Sequence, residues 1–215
     1  MPEKKDTKSK YFDSSDWDRF WEGETGGDSG IQKIISKFRK HFDNEYLKRI
    51  ITLKPSPNGK ILEVGCGTAQ CTHKLSEKGY NSFAMDYSPQ ARIFWNQEAA
   101  HFLIADGFHI PFKSDSFELV WNAGVLEHFT DPQPMLKEMI RVCKPDGMVF
   151  IIVPYVLNIL APLRIWGEER TFTKKMLKGL LKDLDEVGVK VLYTCGGILI
   201  NGWGRKKEAR RHESS

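Results

Sequence analysis

The sequence has few cysteines, and their arrangement indicates neither a metal site nor a disulfide framework. Its 215 residues include 4 cysteines, which form no CxxC pair and no pattern with histidines at zinc-ligand spacing. We expect free thiols, no metal and a reducing, cytoplasmic environment. The first ten residues, MPEKKDTKSK, contain no apolar segment, so we also expect no secretory signal.

Long hydrophobic runs are missing as well. The most apolar stretch, Met148–Leu163, is shorter than the roughly 20 residues that a membrane-spanning helix needs. Pro154, Asn158 and Pro162 also interrupt it. We expect a buried strand followed by a pocket wall here, and no membrane span.

Neither sign of charge is in large excess. The formal net charge is +4, and much of the positive charge lies near the chain ends, at Lys4–Lys10 and Arg205–Arg211. Such clusters can bind nucleic acid or a membrane surface, whereas solvated chain ends are the more ordinary explanation. With 40% apolar and 28% charged residues, the chain is long enough for one well-buried core and too short for two ordinary catalytic domains.

Two helices are expected before the core. Trp17, Phe20 and Trp21 fall on one face of a first helix, and a second helix is expected over Ile31–Ile51. A glycine-rich joint, EGETGGDSG at 22–30, separates the two. This joint would allow the first helix to close over the core as a lid.

From Lys60 onward, short apolar runs alternate with polar segments of helical length, so we expect a core domain at 60–215 preceded by a helical extension at 1–59. Because the runs are apolar on both faces, they predict a parallel sheet covered by helices, with a ligand crevice at the carboxyl ends of the strands. The predicted strands are Ile61–Val64, Ser82–Met85, Phe102–Ile104, Leu119–Trp121 and Met148–Val153, and the helices between them are Cys71–Lys78, Pro89–Ala100 and Pro134–Cys143.

The last part of the core has a different pattern. A long helix is expected over Thr173–Val187, and two β-like stretches follow at Val189–Thr194 and Ile198–Trp203. Since only the short CGG segment separates these stretches, they should pair as an antiparallel hairpin.

A glycine-rich turn follows the first predicted strand, in KILEVGCGTAQ at 60–70. A phosphate-binding P-loop would need GxxxxGK[ST], and the turn contains no lysine. A dinucleotide fingerprint that begins at Gly65 and Gly67 would need a third glycine or an alanine where the chain has Gln70. Glutamine there would obstruct the close packing of helix on strand, so the sequence disfavours a dehydrogenase.

The turn does fit the pattern acid-x-Gly-x-Gly-x-small, with Glu63, Gly65, Gly67 and Ala69 in the four positions. Here the chain resembles the class I S-adenosylmethionine-dependent methyltransferases, with Ala69 where a third glycine is common. Glycines allow the backbone to pass beneath a ligand. The N-terminus of the next helix offers free N–H groups to a carboxylate, such as the methionyl tail of the cofactor.

Three further positions carry the resemblance. Asp86 ends the second strand in SFAMDYS, Asp106 ends the third in LIADGFHIPF, and Asn122 ends the fourth in SFELVWNAGVLEHF. A carboxylate at the first position can accept hydrogen bonds from ribose hydroxyls, and in the family the second acid accepts one from the adenine amino group. The stretch 131–154 resembles the helix, the Lys-Pro-Asp-Gly turn and the fifth strand that follow. The likeness covers 60–154 well, and it is closest to the small-molecule branch that includes ubiquinone and menaquinone biosynthesis enzymes.

The resemblance implies a fold, a cofactor and a set of binding residues. The fold would be a Rossmann-like α/β three-layer sandwich with a seven-stranded, mostly parallel sheet, in the order 3-2-1-4-5-7-6 with an antiparallel last strand. The cofactor would be S-adenosyl-L-methionine, with S-adenosyl-L-homocysteine as its product. The residues expected to bind it are Glu63, Gly65, Cys66, Gly67, Asp86, Tyr87, Asp106, Gly107, Asn122 and Ala123.

The implied reaction is an in-line displacement at a sulfonium, whose positive charge disappears as the methyl group leaves. The protein then contributes chiefly by aligning donor and acceptor in a pocket from which water is excluded, and a base is needed only for a protonated acceptor. His128 and Tyr155 are the candidates for a catalytic role, although packing or capping of the loop is the more ordinary explanation for His128 and a pocket wall explains Tyr155 equally well. An apolar or aromatic small-molecule acceptor would suit the side chains expected near the crevice, which are Trp17, Phe20, Trp21, Leu157, Ile159, Leu160, Trp166 and Phe172.

Two other functions stay open on the sequence alone. A nucleic-acid methyltransferase is disfavoured because NAGV at 122–125 differs from the (Asp/Asn/Ser)-Pro-Pro-aromatic loop of the amine-modifying enzymes, and because no cysteine follows a proline. The basic chain end keeps this alternative open. The chain could also be a non-catalytic partner that retains the cofactor fold for binding. Neither the acceptor nor an oligomeric state is specified by the fold.

Overall fold

Seven strands and four α-helices make up the described part of the chain. The computed structural model describes residues 30–56, 58–95, 100–157, 170–194 and 197–208, with side chains from residue 41 onward. The first predicted helix, the joint at 22–29 and part of the predicted pocket wall (Ile159, Leu160 and Trp166) lie outside these residues. The helices are α1 (Gly30–Thr52), α2 (Gln70–Glu77), α3 (Gln133–Val142) and α4 (Lys174–Leu180), and the strands are β1 (Lys60–Val64), β2 (Asn81–Asp86), β3 (His101–Ile104), β4 (Phe117–Ala123), β5 (Cys143–Pro154), β6 (Asp185–Thr194) and β7 (Gly197–Arg205).

The strands form a single sheet in the order β3-β2-β1-β4-β5-β7-β6, which confirms the predicted order. Strands β1 to β5 pair in parallel, and β7 runs antiparallel to both β5 and β6. The register brings the carboxyl ends of the parallel strands to one edge, the carboxyl edge: Val64 is paired with Met85, and Glu63 with Trp121. The fold is therefore the expected Rossmann-like α/β sandwich with an antiparallel last strand.

Helices cover both faces of the sheet because its strands are apolar on both sides. On one face, Ile50 of α1 and Leu75 of α2 share a buried cluster with Trp121 of β4. On the other face, Met139 of α3 and Leu177 of α4 belong to a second cluster with the opposite side of the same strands. These two layers fix the strands whose ends carry the predicted site.

The helix predicted over Pro89–Ala100 is wrong in its described part. The chain forms a 3-10 helix at Pro89–Phe94 instead, and the Ser88 side chain caps its start by accepting a hydrogen bond from the Gln90 N–H. The run IFW at 93–95 combines β-branched and aromatic side chains, which lose rotamer freedom in a helix. The backbone accordingly becomes extended at the last of these residues.

The long helix predicted over Thr173–Val187 is also wrong in its second half, which forms a turn at 181–184 and then the start of a strand. Helix α4 ends at Leu180, and β6 begins at Asp185. Valines at 187, 189 and 191 alternate along this strand, and β-branched side chains favour such a half-buried pleated surface. Pairing with β7 along almost the whole of β6 then determines the local structure.

Two basic residues at the end of the last strand and just after it, Arg205 and Lys206, are not merely solvated, contrary to the sequence-based expectation for the chain end. Nζ of Lys206 donates to Oδ1 of Asp115 at 2.6 Å, and to the carbonyl oxygens of Arg141 and Cys143 at 3.1 and 2.8 Å. Arg205 pairs with a glutamate of β6 at 2.8 Å. The bonds of Lys206 fasten the chain after β7 to Asp115, the end of α3 and the start of β5, and the Arg205 pair joins β7 to β6.

The described cysteines are buried and carry no disulfide. Cys66, Cys71 and Cys143 are free thiols, and burial raises the pKa of each, that of Cys143 to about 12. Such thiols are poor nucleophiles. In the described ranges, no three His, Cys, Asp or Glu side chains form a group that could hold a metal ion, and no helix combines the length and apolar character that crossing a membrane requires.

Candidate cofactor site

The turn between β1 and α2 has three residues in the left-handed region of backbone space. The angle φ is +74° at Gly65, +49° at Gly67 and +54° at Ala69. A Cβ on Gly65 would lie 2.5 Å from Cγ2 of Val125, so this position requires glycine for space as well as for conformation. Alanine carries strain in this region that glycine avoids. The departure from a third glycine therefore has an energetic cost at Ala69.

Asp86 joins this turn to the end of β2. Its Oδ2 accepts a hydrogen bond from the Gly67 N–H at 2.7 Å, and its Oδ1 accepts one from the Ser88 N–H at 3.0 Å. Burial raises the pKa of the carboxyl group, and these N–H groups partly offset that effect. Each carboxylate oxygen has a second lone pair. Asp86, the predicted acceptor for the ribose hydroxyls, thus lies beside the glycine turn and can accept two further hydrogen bonds.

Glu63 is enclosed next to the same turn. Its side chain is 7% exposed, and its carboxylate accepts a hydrogen bond from the Thr72 hydroxyl in the first turn of α2. Burial raises the pKa of this carboxyl well above its ordinary value, and the negative charges of Asp43 and Asp86 act in the same direction. Glu63 therefore ties β1 to the start of α2, on which the shape of the turn depends.

A second acidic turn follows β3. Oδ1 of Asp106 accepts a hydrogen bond from the Phe108 N–H at 2.9 Å, and its Oδ2 lies 3.3 Å from Nδ1 of His109. The Asp106 side chain is 34% exposed, so it is open to a donor such as an amino group. Gly107 is buried, and a Cβ there would lie 2.8 Å from Cε of Met135 in α3. This turn therefore packs closely on the helix.

The strand register places these groups side by side along the carboxyl edge. Asp86 is paired with Ile104 at the end of β3, and its carbonyl accepts a hydrogen bond from the Ala105 N–H at 2.8 Å. Tyr87 follows directly and is 44% exposed. The glycine turn, the Asp86–Tyr87 pair and Asp106 consequently occupy neighbouring strand ends, β1, β2 and β3.

The end of β4 presents no polar side chain to this edge. Asn122 is fully buried, and its Nδ2 faces Sδ of Met139 in α3 at 3.5 Å. Its side chain therefore lies in the core rather than in the crevice. Ala123 follows as the last residue of β4, where the Gly124 N–H donates to the Ile152 carbonyl at 3.1 Å. Only backbone and a methyl group are available here.

The two candidates for a catalytic role differ in their surroundings. His128 is 2% exposed and lies in the short 3-10 helix Leu126–His128. Tyr155 is partly buried and forms an isolated bridge with Phe172 just after β5. A general base must reach the proton that it removes. At 2% exposure the imidazole is closed off from the crevice, so the geometry assigns no base.

Two side chains that hold these turns belong to no motif in the sequence. Nε1 of Trp95 donates to the Gly67 carbonyl at 2.8 Å. Arg141 donates to the carbonyls of Ile110 and Phe112 at 2.8 Å each, and it also pairs with a glutamate of α3. The only signals for these roles in the sequence were the occurrence of Trp95 in a polar segment and the i, i+3 spacing of a glutamate and Arg141. Neither signal specifies which distant carbonyl the side chain contacts.

Residues 62–151 match the family model described as a methyltransferase domain. The chain is 28% identical over 138 residues to norajmaline N-methyltransferase of Rauvolfia serpentina, with 59% of this chain and 47% of that protein covered. It is 31% identical over 96 residues to demethylmenaquinone methyltransferase of Corynebacterium urealyticum, with 45% and 42% covered. The chain thus spans less than half the length of these relatives.

The fold is shared with a solved methyltransferase structure. Magnesium protoporphyrin IX methyltransferase of Synechocystis PCC 6803, determined with bound S-adenosylhomocysteine, superposes with a TM-score of 0.71 at 15% identity, covering 91% of this chain and 96% of that chain. At this identity the likeness concerns the fold alone. Residues 62–151 therefore match a methyltransferase domain, and they have the strand order and the glycine turn expected of the class I S-adenosylmethionine-dependent methyltransferases.

Proposed function

We propose that this chain transfers a methyl group from S-adenosylmethionine to a small-molecule acceptor that is apolar or aromatic. The contact between Asp86 and the Gly67 N–H carries the proposal, because it fixes a partly buried carboxylate beside the glycine turn. Both relatives named above are methyltransferases of small molecules, which supports this class of acceptor. The internal bonds of Arg205 and Lys206 leave less free positive charge for a nucleic acid.

Each of the groups at the carboxyl ends of β1, β2 and β3 has a role in this proposal. The backbone of the turn at 65–67 would receive the methionyl part, and the Asp86 carboxylate would accept from the ribose hydroxyls. The half-exposed ring of Tyr87 would pack on the adenine. Asp106 would accept from its amino group, since this carboxylate is partly open. Glu63 and Gly107 would act by holding the two turns in place.

When bound, the cofactor supplies a methyl group on a sulfonium that departs as a neutral thioether. The chain's own contribution is to fix the donor on the rigid ends of β1 and β2 and to exclude water from the crevice. No described side chain is placed as a base, so the proposal favours an acceptor atom that carries a free lone pair or that ionises readily in water. His128 and Tyr155 stay candidates for orienting such an acceptor.

An apolar surface after β5 supports the proposed acceptor class. Phe172 bridges to Tyr155 near the end of this strand, where its N–H donates to the Pro154 carbonyl at 2.8 Å and its carbonyl accepts from the Val156 N–H at 3.0 Å. The next two side chains, Val156 and Leu157, are 47% and 62% exposed. Exposed aliphatic groups at the carboxyl edge are suited to an apolar ring or chain rather than to a phosphate.

The domain organisation is part of the proposal. Residues 60–215 would form the methyltransferase domain, and 1–59 an extension that contributes to the acceptor site. Phe42, Leu47 and Ile50 of α1 pack into the buried cluster on one face of the sheet. A lid movement would therefore involve the chain before α1. A cytoplasmic location stays a prediction.

Calorimetric titration with S-adenosylmethionine, and separately with NAD, tests the cofactor site. Wild type should bind the former alone. Asp86→Ala should weaken this binding at least tenfold, because hydrogen bonds to a charged acceptor contribute about 1.5–3 kcal/mol each. Asp183→Ala, at an exposed position, is the matched control and should bind like wild type. Binding of NAD, or no effect of Asp86→Ala, would contradict the assignment, and a panel of small acceptors then tests turnover.

A further inference from the structure

The peptide groups of Gly67 are held from both sides by side chains distant in sequence. The N–H donates to Oδ2 of Asp86 at 2.7 Å, and the carbonyl accepts from Nε1 of Trp95 at 2.8 Å. Both partners come from the β2 end and the segment after it. Because glycine adopts positive and negative φ about equally readily, the two bonds on Gly67, whose φ is +49°, help to select the shape of the turn.

The surroundings of Trp95 keep the indole in one position. Trp95 is 9% exposed and stacks on Phe102 of β3, with ring centroids 5.3 Å apart and planes inclined by 16°. Phe102 in turn meets the His73 ring of α2 edge-on at 5.2 Å. The other buried side chains of this cluster are small, which leaves room for the indole: Cys66, Ala69, Ala84 and Ala91.

Trp121 shows the same side chain without such a bond. It is fully buried on β4, and its Nε1 has no hydrogen-bond partner. Its cluster includes Phe42 and Leu47 of α1, on the face of the sheet that α1 covers. Two buried tryptophans thus differ in whether the indole N–H is bonded to the turn.

We propose that Trp95 is a positioning residue for cofactor binding, whose indole N–H holds the Gly67 carbonyl so that the turn has its binding shape before the cofactor arrives. This inference rests on the cofactor site proposed above. Trp95 acts through Gly67 rather than by touching the cofactor. A turn that is ordered in advance loses less conformational freedom on binding, which raises affinity.

Replacement by phenylalanine separates the hydrogen bond from the packing. Trp95→Phe keeps an aromatic ring against Phe102 and removes the donor. Affinity for S-adenosylhomocysteine, measured by calorimetry on the full chain, should fall about threefold to tenfold, which corresponds to the loss of one hydrogen bond. Trp121→Phe removes the same atoms where no bond is lost, and its affinity should stay within about twofold of wild type. Circular dichroism and thermal unfolding verify that both variants are folded.

Equal affinities in wild type and Trp95→Phe would overturn the positioning role. Equal losses in both variants would overturn it too, because they would show a general effect of packing. If wild type binds no S-adenosylhomocysteine or S-adenosylmethionine, the proposed cofactor site and the role of Trp95 both fail. If wild type binds and only the Trp95 variant behaves unexpectedly, the cofactor site stands.

A measurement on the wild type makes the test independent of how Trp95→Phe folds. In protein labelled with ¹⁵N-tryptophan, the indole N–H of Trp95 can be assigned by substituting the other tryptophans one at a time. Saturation with S-adenosylhomocysteine should slow its hydrogen exchange about tenfold or more, since binding locks the turn. The indole N–H of Trp121 should change little. An unchanged exchange rate at Trp95 would show that turn and indole are not coupled to binding.

Discussion

Two groups of acidic residues in the molecule lie in opposite electrostatic environments. The acidic pair, Glu63 and Asp86, lies at the glycine turn, and among the described residues no basic side chain bonds to either. Burial raises the pKa of both carboxyls. Near the C-terminal end of α3, by contrast, Glu138 pairs with Arg141 at 2.7 Å, and this hydrogen bond lowers the pKa of Glu138.

The difference separates a binding site from a scaffold. We use the term ion-pair network for Asp115, Glu138, Arg141 and Lys206, in which each acid has a cation. A buried carboxylate without a cation lowers stability, and a positively charged ligand relieves that cost. S-adenosylmethionine carries both a sulfonium and an ammonium group. The acidic pair is therefore expected to favour a cation in the crevice, whereas the ion-pair network only holds β7, α3 and the loop after β3 together.

The largest effect is expected from breaking the ion-pair network at Lys206. Lys206→Met removes one bond to Asp115 and two to backbone carbonyls, so the free energy of unfolding should fall by about 2 kcal/mol. Affinity for S-adenosylhomocysteine should not change, because the Lys206 amine contacts neither the glycine turn nor the turn that holds Asp106. Urea unfolding and calorimetry measure the two quantities.

Lys207→Met is the matched control for this prediction. The exposed Lys207 amine lies 3.9 Å from Asp185, and such a surface pair contributes less than about 1 kcal/mol. Equal destabilisation in the two variants would show that the bonds of Lys206 are not special. A loss of cofactor affinity as large as that of Asp86→Ala would show that scaffold and site are not separate.

The next prediction is that the same substitution, glutamate to glutamine, changes the free energy of unfolding in opposite directions in the acidic pair and in the ion-pair network. Glu63→Gln should raise the free energy of unfolding by about 1 kcal/mol at neutral pH, because the amide still accepts from the Thr72 hydroxyl without a buried charge. Its affinity for S-adenosylmethionine should fall severalfold. Glu138→Gln makes the same chemical change in the ion-pair network and should lower the free energy of unfolding by about 1 kcal/mol. The same sign in both variants would contradict the electrostatic distinction.

The dependence on pH follows from the two pKa shifts. Because the pKa of Glu63 is raised, its contribution to stability is complete below the ordinary value of 4.5 and is lost as pH rises through the folded-state pKa. Because the pKa of Glu138 is lowered, its contribution is present above 4.5 and is lost as pH falls through the folded-state pKa. Both variants should therefore approach wild type in acid and diverge from it in opposite directions toward neutral pH.

The sheet could be predicted because its information is local. Each parallel strand is a short apolar run closed by a turn residue, as at Ile61–Val64 before Gly65, and the strand order came from the family resemblance. The acids at the strand ends were located in the same way. The helix predicted over 173–187 was too long because Leu177, Leu181 and Leu184 recur at helical spacing and are all buried. The helix nevertheless stops at Leu180, and after a turn at 181–184 the chain pairs with β7 from Asp185 onward.

The parts of the site that the sequence concealed depend on long-range contacts. The Trp95 indole reaches a carbonyl 28 residues away, and no periodicity encodes that distance. The orientation of Asn122 was equally hidden, because a polar residue at a strand end is as compatible with the crevice as with the α3 side. Motifs therefore located the strand ends correctly, while the side-chain directions required the packed structure.

The smallest expected change in the free energy of unfolding comes from backbone strain at Ala69, in the glycine turn beside the acidic pair. Ala69→Gly should relieve about 1 kcal/mol of strain from the left-handed backbone conformation. It also removes a buried methyl group worth about 0.8 kcal/mol and increases the conformational entropy of the unfolded chain, and both of these effects are destabilising. The net change in the free energy of unfolding should stay within about 0.5 kcal/mol. Gly79→Ala is the reciprocal control, because φ is +86° there and a Cβ would meet nothing within 4 Å. That variant should lose about 0.5–1 kcal/mol from strain alone. A gain above about 1 kcal/mol in Ala69→Gly would mean that backbone strain, as well as uncompensated charge, distinguishes the cofactor turn from the scaffold.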